Sequence, residues 1–125
     1  MSYVNDWTDD RSPSALDKLE KAYLGGCLLV PDWLDFGATL RPADFSTTAR
    51  GFVFDTMRSF PRRRFDDVLL AAELERTGGP APVGSWGWIV GDLLDNAAAF
   101  EDLMPAYVRS IKEAAALRRA SRSDV

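Results

Sequence analysis

Side chains able to carry out bond chemistry are scarce in this chain of 125 residues, which has one cysteine, Cys27, and no histidine. Without histidine there is no Ser-His-Asp or Cys-His pair and no facial triad with two histidines. A zinc site of the usual kinds is excluded too. A single cysteine makes no internal disulfide, and Cys27 sits on an apolar stretch, where it reads as a small core residue. Carboxylates and lysines remain as agents of acid–base chemistry. Asp66 and Asp67 stand at a helix start and read as caps, while Glu73 and Glu75 fall on an exposed face. Gly79 to Ser85, GPAPVGS, has the glycine spacing of a phosphate loop. Ser85, however, stands where that loop needs lysine, and Pro80 and Pro82 remove backbone donors that would cradle phosphate. The expectation is a chain with no catalytic residue, no cofactor and no metal.

Residues suited to contact are more conspicuous. Arg62, Arg63 and Arg64, with Arg58 one turn earlier, form a dense basic cluster that could meet an anion or an acidic partner. The alternative is a solvated turn. Trp86 and Trp88 are two apart and point to nearly opposite sides of a helix. One belongs to the core; the other is a partner contact, since tryptophan is enriched at binding hot spots. Trp88 is the candidate. On the last helix Tyr107, Val108, Ile111 and Ala115 make an apolar stripe. It packs either on its own domain or on a second copy of the chain, and the second copy is favoured because little chain remains to cover it.

These residues must be positioned by helices. Ser12 and Pro13 offer an N-cap and a first-turn proline, with Ser14 and Asp17 as a second arrangement. Leu16, Leu19, Tyr23, Cys27 and Val30 follow in steps of three and four, and Pro31 ends the helix. Within it Gly25 and Gly26 lie amid apolar residues. Each costs about 0.8–1 kcal/mol relative to alanine, so a second backbone is expected to come close there. Residues 32–38 form a short helix, and the connection after it buries Leu40 and Phe45. Ser46 or Thr47 caps a helix with Phe52, Val53, Phe54, Met57 and Phe60 on its apolar face, one aromatic more than a core face needs. Asp66 or Asp67 caps a helix through Arg76 with Val68, Leu69, Leu70 and Ala72 inward, stopped by Gly78 and Gly79. Residues 86–94 form another helix. A final one starts near Pro105, with Asp102 as its cap and arginines 118, 119 and 122 favouring its end. With no alternating strand pattern, the chain reads as all-α, a compact orthogonal bundle of about six helices. The last is long and available to a dimerising hairpin.

Composition sets the outer bounds. The chain is 46% hydrophobic and 27% charged, ordinary for one globular core. A net charge of −4 works against direct nucleic-acid binding, which needs a basic surface. No apolar run approaches the roughly 18–20 residues of a membrane span. The first residues, MSYVNDWTDDRSP, lack the apolar centre of a signal peptide, so the expected location is the cytoplasm. The expected organisation is a flexible acidic leader over 1–11, a helical domain over 12–120 and a disordered tail over 121–125.

Together these segments resemble the N-terminal domain of the bacterial replicative DNA helicase of the DnaB type. That family's opening helix carries a Glu-x-x-x-Leu-Gly-x-x-Leu-Leu type signature, which Glu20, Leu24, Gly25, Gly26, Leu28 and Leu29 fit. A Leu-x-Pro-x-Asp-Phe segment before an Arg-x-x-x-Phe helix is matched by Leu40, Pro42, Asp44 and Phe45, then Arg50 and Phe54. A helix ending Leu-Glu-Arg-x-Gly is matched by Leu74, Glu75, Arg76 and Gly78. Val83, Gly84, Trp86, Trp88 and Ile89 fit a glycine–aromatic motif, in which Ser85 replaces the second glycine. Tyr107, Ile111, Lys112, Glu113, Arg118 and Arg119 look like its last helix. The resemblance spans about residues 14–120. It implies a non-catalytic collar that forms a homodimer or higher oligomer and contacts helicase subunits, primase or a helicase loader in DNA replication. No motor motif is present, so the chain by itself is not expected to be an enzyme; a stand-alone regulator of a host helicase fits as well. The alternative is a helical adaptor with an unrelated partner, working through Arg62, Arg63, Arg64 and an exposed tryptophan. A small carboxylate enzyme is a third reading, which no feature of the sequence favours.

Overall fold

The computed structural model describes residues 14–123. The leader over 1–11 and the Ser12–Pro13 helix start lie outside the described residues. The observed start is the second arrangement: helix α1, Ala15–Leu29, is capped by Ser14. Asp17 N donates to Ser14 Oγ at 3.0 Å, and Ser14 N donates to the Asp17 carboxylate at 3.3 Å. This reciprocal box satisfies two amides that the helix cannot pair itself. Pro31 follows the cap residue Val30 and opens a 3-10 helix over Pro31–Gly37. Three further α-helices then run over Thr48–Ser59 (α2), Asp67–Thr77 (α3) and Trp86–Asp95 (α4). Helix α5, Met104–Ser123, completes the order. With the seven-residue 3-10 helix these are the six helices expected, and the described residues contain no strand. Single 3-10 turns occupy Pro42–Asp44, Pro61–Arg63 and Glu101–Leu103.

The starts of α2, α3 and α4 have one cause. Thr47 accepts from Arg50 N at 3.2 Å, Asp66 from Leu69 N at 2.8 Å and Ser85 from Trp88 N at 3.0 Å. A short polar side chain at each N-cap pairs an amide that would otherwise face only water.

Helix α1 is central, packed on α4 and on α5, while α3 lies on α4 and α2. The core is Tyr23, Leu24, Cys27, Leu34, Phe54, Met57, Leu70, Leu74, Met104 and Ile111, all fully buried. Gly25 is where two backbones meet. A Cβ placed there would collide with the Leu93 carbonyl oxygen and come within 2.8 Å of Ala97 Cα. The contact is secured by Ala98 N donating to the Ala22 carbonyl at 3.0 Å. Gly26 lies under the Trp33 ring and the Met104 methyl.

Two expectations need correction. On α3, Leu70 and Leu74 are buried, but Val68 is 69% exposed, Leu69 52% exposed, and Ala72 is exposed as well. The helix touches its neighbours along one narrow line, so a four-residue step suffices and the flanking apolar positions face out. Helix α5 also continues to Ser123, past the boundary expected at 120. Residues 124 and 125 of the expected tail lie outside the described residues.

The two kinds of glycine separate cleanly. Gly25→Ala should destabilise the fold by about 1–3 kcal/mol, because strain outweighs the better helix propensity. Gly91 has open space around its Cα, so Gly91→Ala should be neutral or stabilise by up to about 1 kcal/mol. Urea unfolding of both variants checks the contrast.

Candidate interaction surfaces

A buried ion-pair network fixes the relation of α1 to α2. Glu20 is fully buried. Its carboxylate accepts from Ser46 N, Ser46 Oγ and Arg50 Nη1, each at 2.8 Å. Arg50 Nη1 also donates to Asp17 at 2.8 Å. A second network joins the far end of α5 to the connection before α2: Arg119 pairs with the Asp44 carboxylate, and Arg118 Nη2 donates to the Asp44 carbonyl at 2.8 Å. The hydrogen bond from Arg50 is the main cause that holds the Asp17 carboxyl below its ordinary value, against partial burial. For Asp44 burial is the largest influence and acts upward, but the Arg41 amide and Arg119 together outweigh it and the net shift is down.

Between α2, the loop over 77–83 and α4 lies a groove of about 770 Å³. Phe52, Val83, Trp86, Trp88 and Ile89 line it, and the Lys21–Asp92 ion pair, at 2.7 Å, also lies in its lining. Trp86 is its anchored member: the indole donates to the Gly79 carbonyl at 2.9 Å, and its ring meets Phe52 at 5.6 Å. Trp88 is 57% exposed and Val83 59%. The division of the two tryptophans between core and surface is thus as expected. Phe52 is the surplus aromatic of α2, and that surplus was the sequence's sign of this groove. Val83 gave no comparable sign, because a single valine between Pro82 and Gly84 reads as loop.

The stripe on α5 is placed differently from the favoured expectation. Ile111 is fully buried, and Val108 and Ala115 are buried as well. Helix α5 packs them against α1 and the 3-10 segments of its own chain. Here the alternative holds: these three side chains belong to the domain's own core. Only Tyr107 is left half-buried at the edge, while Leu117, two residues beyond Ala115, is 70% exposed. The arginine turn is split in a similar way. Arg63 pairs with Asp35 at 2.7 Å, whereas Arg62 and Arg64 are exposed. Arg62 and Arg63 both adopt left-handed backbone, φ 57° and 56°, a conformation that costs ordinary residues energy. Phe60 and Phe65, with tilted rings 5.2 Å apart, flank this turn. Arg58 covers the Phe54 ring at 4.3 Å and donates to the Leu40 carbonyl. The Arg62–Arg64 turn and Trp88 line different clefts.

Among the described residues no group of three or more potential metal ligands occurs, and no helix is long and apolar enough to cross a membrane. The architecture is that of an all-α domain. The chain is similar to the N-terminal domain of DnaB helicase from Mycobacterium tuberculosis, with a TM-score of 0.75 and 29% identity over 86% of this chain and 78% of that one. No protein-family model matches the chain, and no curated protein does. The fold that the sequence resemblance implied is the fold observed.

Two outcomes follow from these placements. Ile111→Asp should abolish the cooperative unfolding transition, because it buries an unpaired charge; circular dichroism melting reads this directly. Asp17 and Asp44 have folded pKa values below their unfolded ones, so their contribution is complete above about pH 4 and is lost as pH falls through the folded values. The melting temperature should be level from about pH 7 to 5 and decline below about pH 4.

Proposed function

We propose that this chain is a helicase-associated oligomerisation and docking domain that acts by contact alone. It pairs with a second copy or a helicase subunit and receives primase or a helicase loader during DNA replication in the cytoplasm. The observation that carries this reading is an exposed Trp88 at an apolar groove, on a fold shared with the N-terminal domain of DnaB helicase. A groove with one buried and one exposed tryptophan suits a partner helix, since aromatic anchors dominate interface energy. Because Val108, Ile111 and Ala115 are occupied within the domain, self-association is assigned to the surface left around Tyr107 and Leu117. As a stand-alone protein the domain would regulate a host helicase by occupying the same contacts.

Light scattering across a wide concentration range, together with capture by purified replicative helicase, primase and loader, tests the proposal. A concentration-dependent dimer or a captured partner supports it; monomer throughout with none of the three captured overturns it. Trp88→Ala should leave stability within about 0.5 kcal/mol of the parent while weakening partner capture at least about ten-fold.

A further inference from the structure

Helix α1 begins beside the Trp88 groove. The Asp17 carboxylate joins the two: one oxygen accepts from Ser14 N at 3.3 Å, and the other from Arg50 Nη1, a group that lines the groove, at 2.8 Å. One turn along α1, Lys21 pairs with Asp92 at 2.7 Å, and one turn back along α4 from Asp92 stands Trp88. Each helical turn is about 5.4 Å long. The point where the chain enters α1 is therefore two turns and an ion pair from the exposed indole. Ser14 has extended backbone, φ −66° and ψ 163°, so the chain leaves the α1 axis there.

The residues before Ser14 are MSYVNDWTDDRSP. Tyr3, Val4 and Trp7 are large and apolar, whereas Thr8 to Ser12 are all polar. Three such residues cannot bury one another in a core of their own. The groove, which leaves Trp88 and Val83 more than half exposed, offers them cover. Fully extended, the stretch from Trp7 to Ser14 spans up to about 23–25 Å. The α4 wall of the groove, ten residues long, measures about 15 Å, so Trp7 can reach all of it. A tether this short gives Trp7 an effective concentration at the groove on the order of mM. A contact of modest strength then fills the groove.

We infer that residues 3–7 of this chain occupy the Trp88 groove and regulate access to it. Trp7 lies among Val83, Trp88 and Ile89, and the segment must be displaced before a partner enters. The regulatory part rests on the reading of the groove as a partner site; the docking does not. An unpaired charge is not drawn into an apolar groove, so Asp6, Asp9 and Asp10 stay toward water. A second cleft, of about 580 Å³, lies on the other side of the α2 N-terminus and is lined by arginines 118, 119 and 122. Arg118 and Arg119 already bond to Asp44, so that cleft has little to offer a segment whose large residues are apolar.

Nuclear magnetic resonance of the full chain tests this. Nuclear Overhauser contacts should connect the Trp7 ring to the methyls of Val83 and Ile89. In a mixture of isotope-labelled and unlabelled chains, they should arise within one chain and not between chains. Trp7→Ser should shift the backbone amides of residues 80–93 and the Trp88 indole proton. It should leave the amides of 115–122, at the second cleft, and of 62–69, at the arginine turn, in place. Whichever partner the parent captures should bind Trp7→Ser about three-fold more tightly, the gain when an occupant present about two-thirds of the time is removed. Absence of contacts from Trp7 to the groove, contacts found only between chains, or shifts centred on 115–122 would overturn the docking. Docking with unaltered partner affinity would overturn the regulatory role. Docking with no partner captured would support the contact within the chain and overturn the partner reading, so the two failures are told apart.

Discussion

One buried carboxylate organises this domain. Glu20 lies on the central helix with no access to solvent, and an unpaired charge there would cost several kcal/mol. It is tolerated because three donors from the chain 26 to 30 residues later converge on it. Removing one partner of such a pair typically costs about 3–5 kcal/mol, so the start of α2 has little freedom to move relative to α1. Arg50 extends the constraint to Asp17, which is also part of the α1 cap. A helix terminus, a connection and an ion pair are thereby one unit. The α2 N-terminus that this unit holds in place borders both clefts, so a polar network sets the geometry of two surfaces.

The opposite side of α1 is fixed by shape. At Gly25 the missing side chain lets the end of α4 and the turn after it approach the helix backbone, and a direct backbone hydrogen bond closes the contact. Helix α4 is thereby seated with Trp86 inward, its indole bonded to Gly79. Trp88, two residues on, has no choice but to face out, because a helix turns about 200° in two residues. Exposure of the apolar rim is therefore a consequence of core packing on the other face.

Much of this could be read from the sequence because it is local. N-caps at Ser14, Thr47 and Asp66, each one of two candidates, and the proline stop at Pro31 depend on residues within a turn or two, and glycine amid apolar residues marks the close approach at Gly25. The burial of Glu20 could not be read so directly, since an acid on an amphipathic helix reads as surface until Ser46 and Arg50 are brought to it. Periodicity on α5 identified an apolar stripe correctly but carried no information on what covers it; α1 and the 3-10 segments do. The same limit explains α3, where Val68 and Leu69 look as inward as Leu70 yet face out. Hydrophobic spacing specifies a face, and only the assembled neighbours specify how wide the covered part of that face is.

The single thiol adds a property of its own. Burial pushes Cys27 up to about 12 from an ordinary value near 9.0, and its side chain is fully enclosed. Thiols react as thiolates, so in the native protein Cys27 is sheltered from alkylating agents and oxidants alike. No covalent cross-link between copies can form through it without the helices parting. The rate at which a maleimide consumes this sulfur thus becomes a built-in clock for how often the core breathes open.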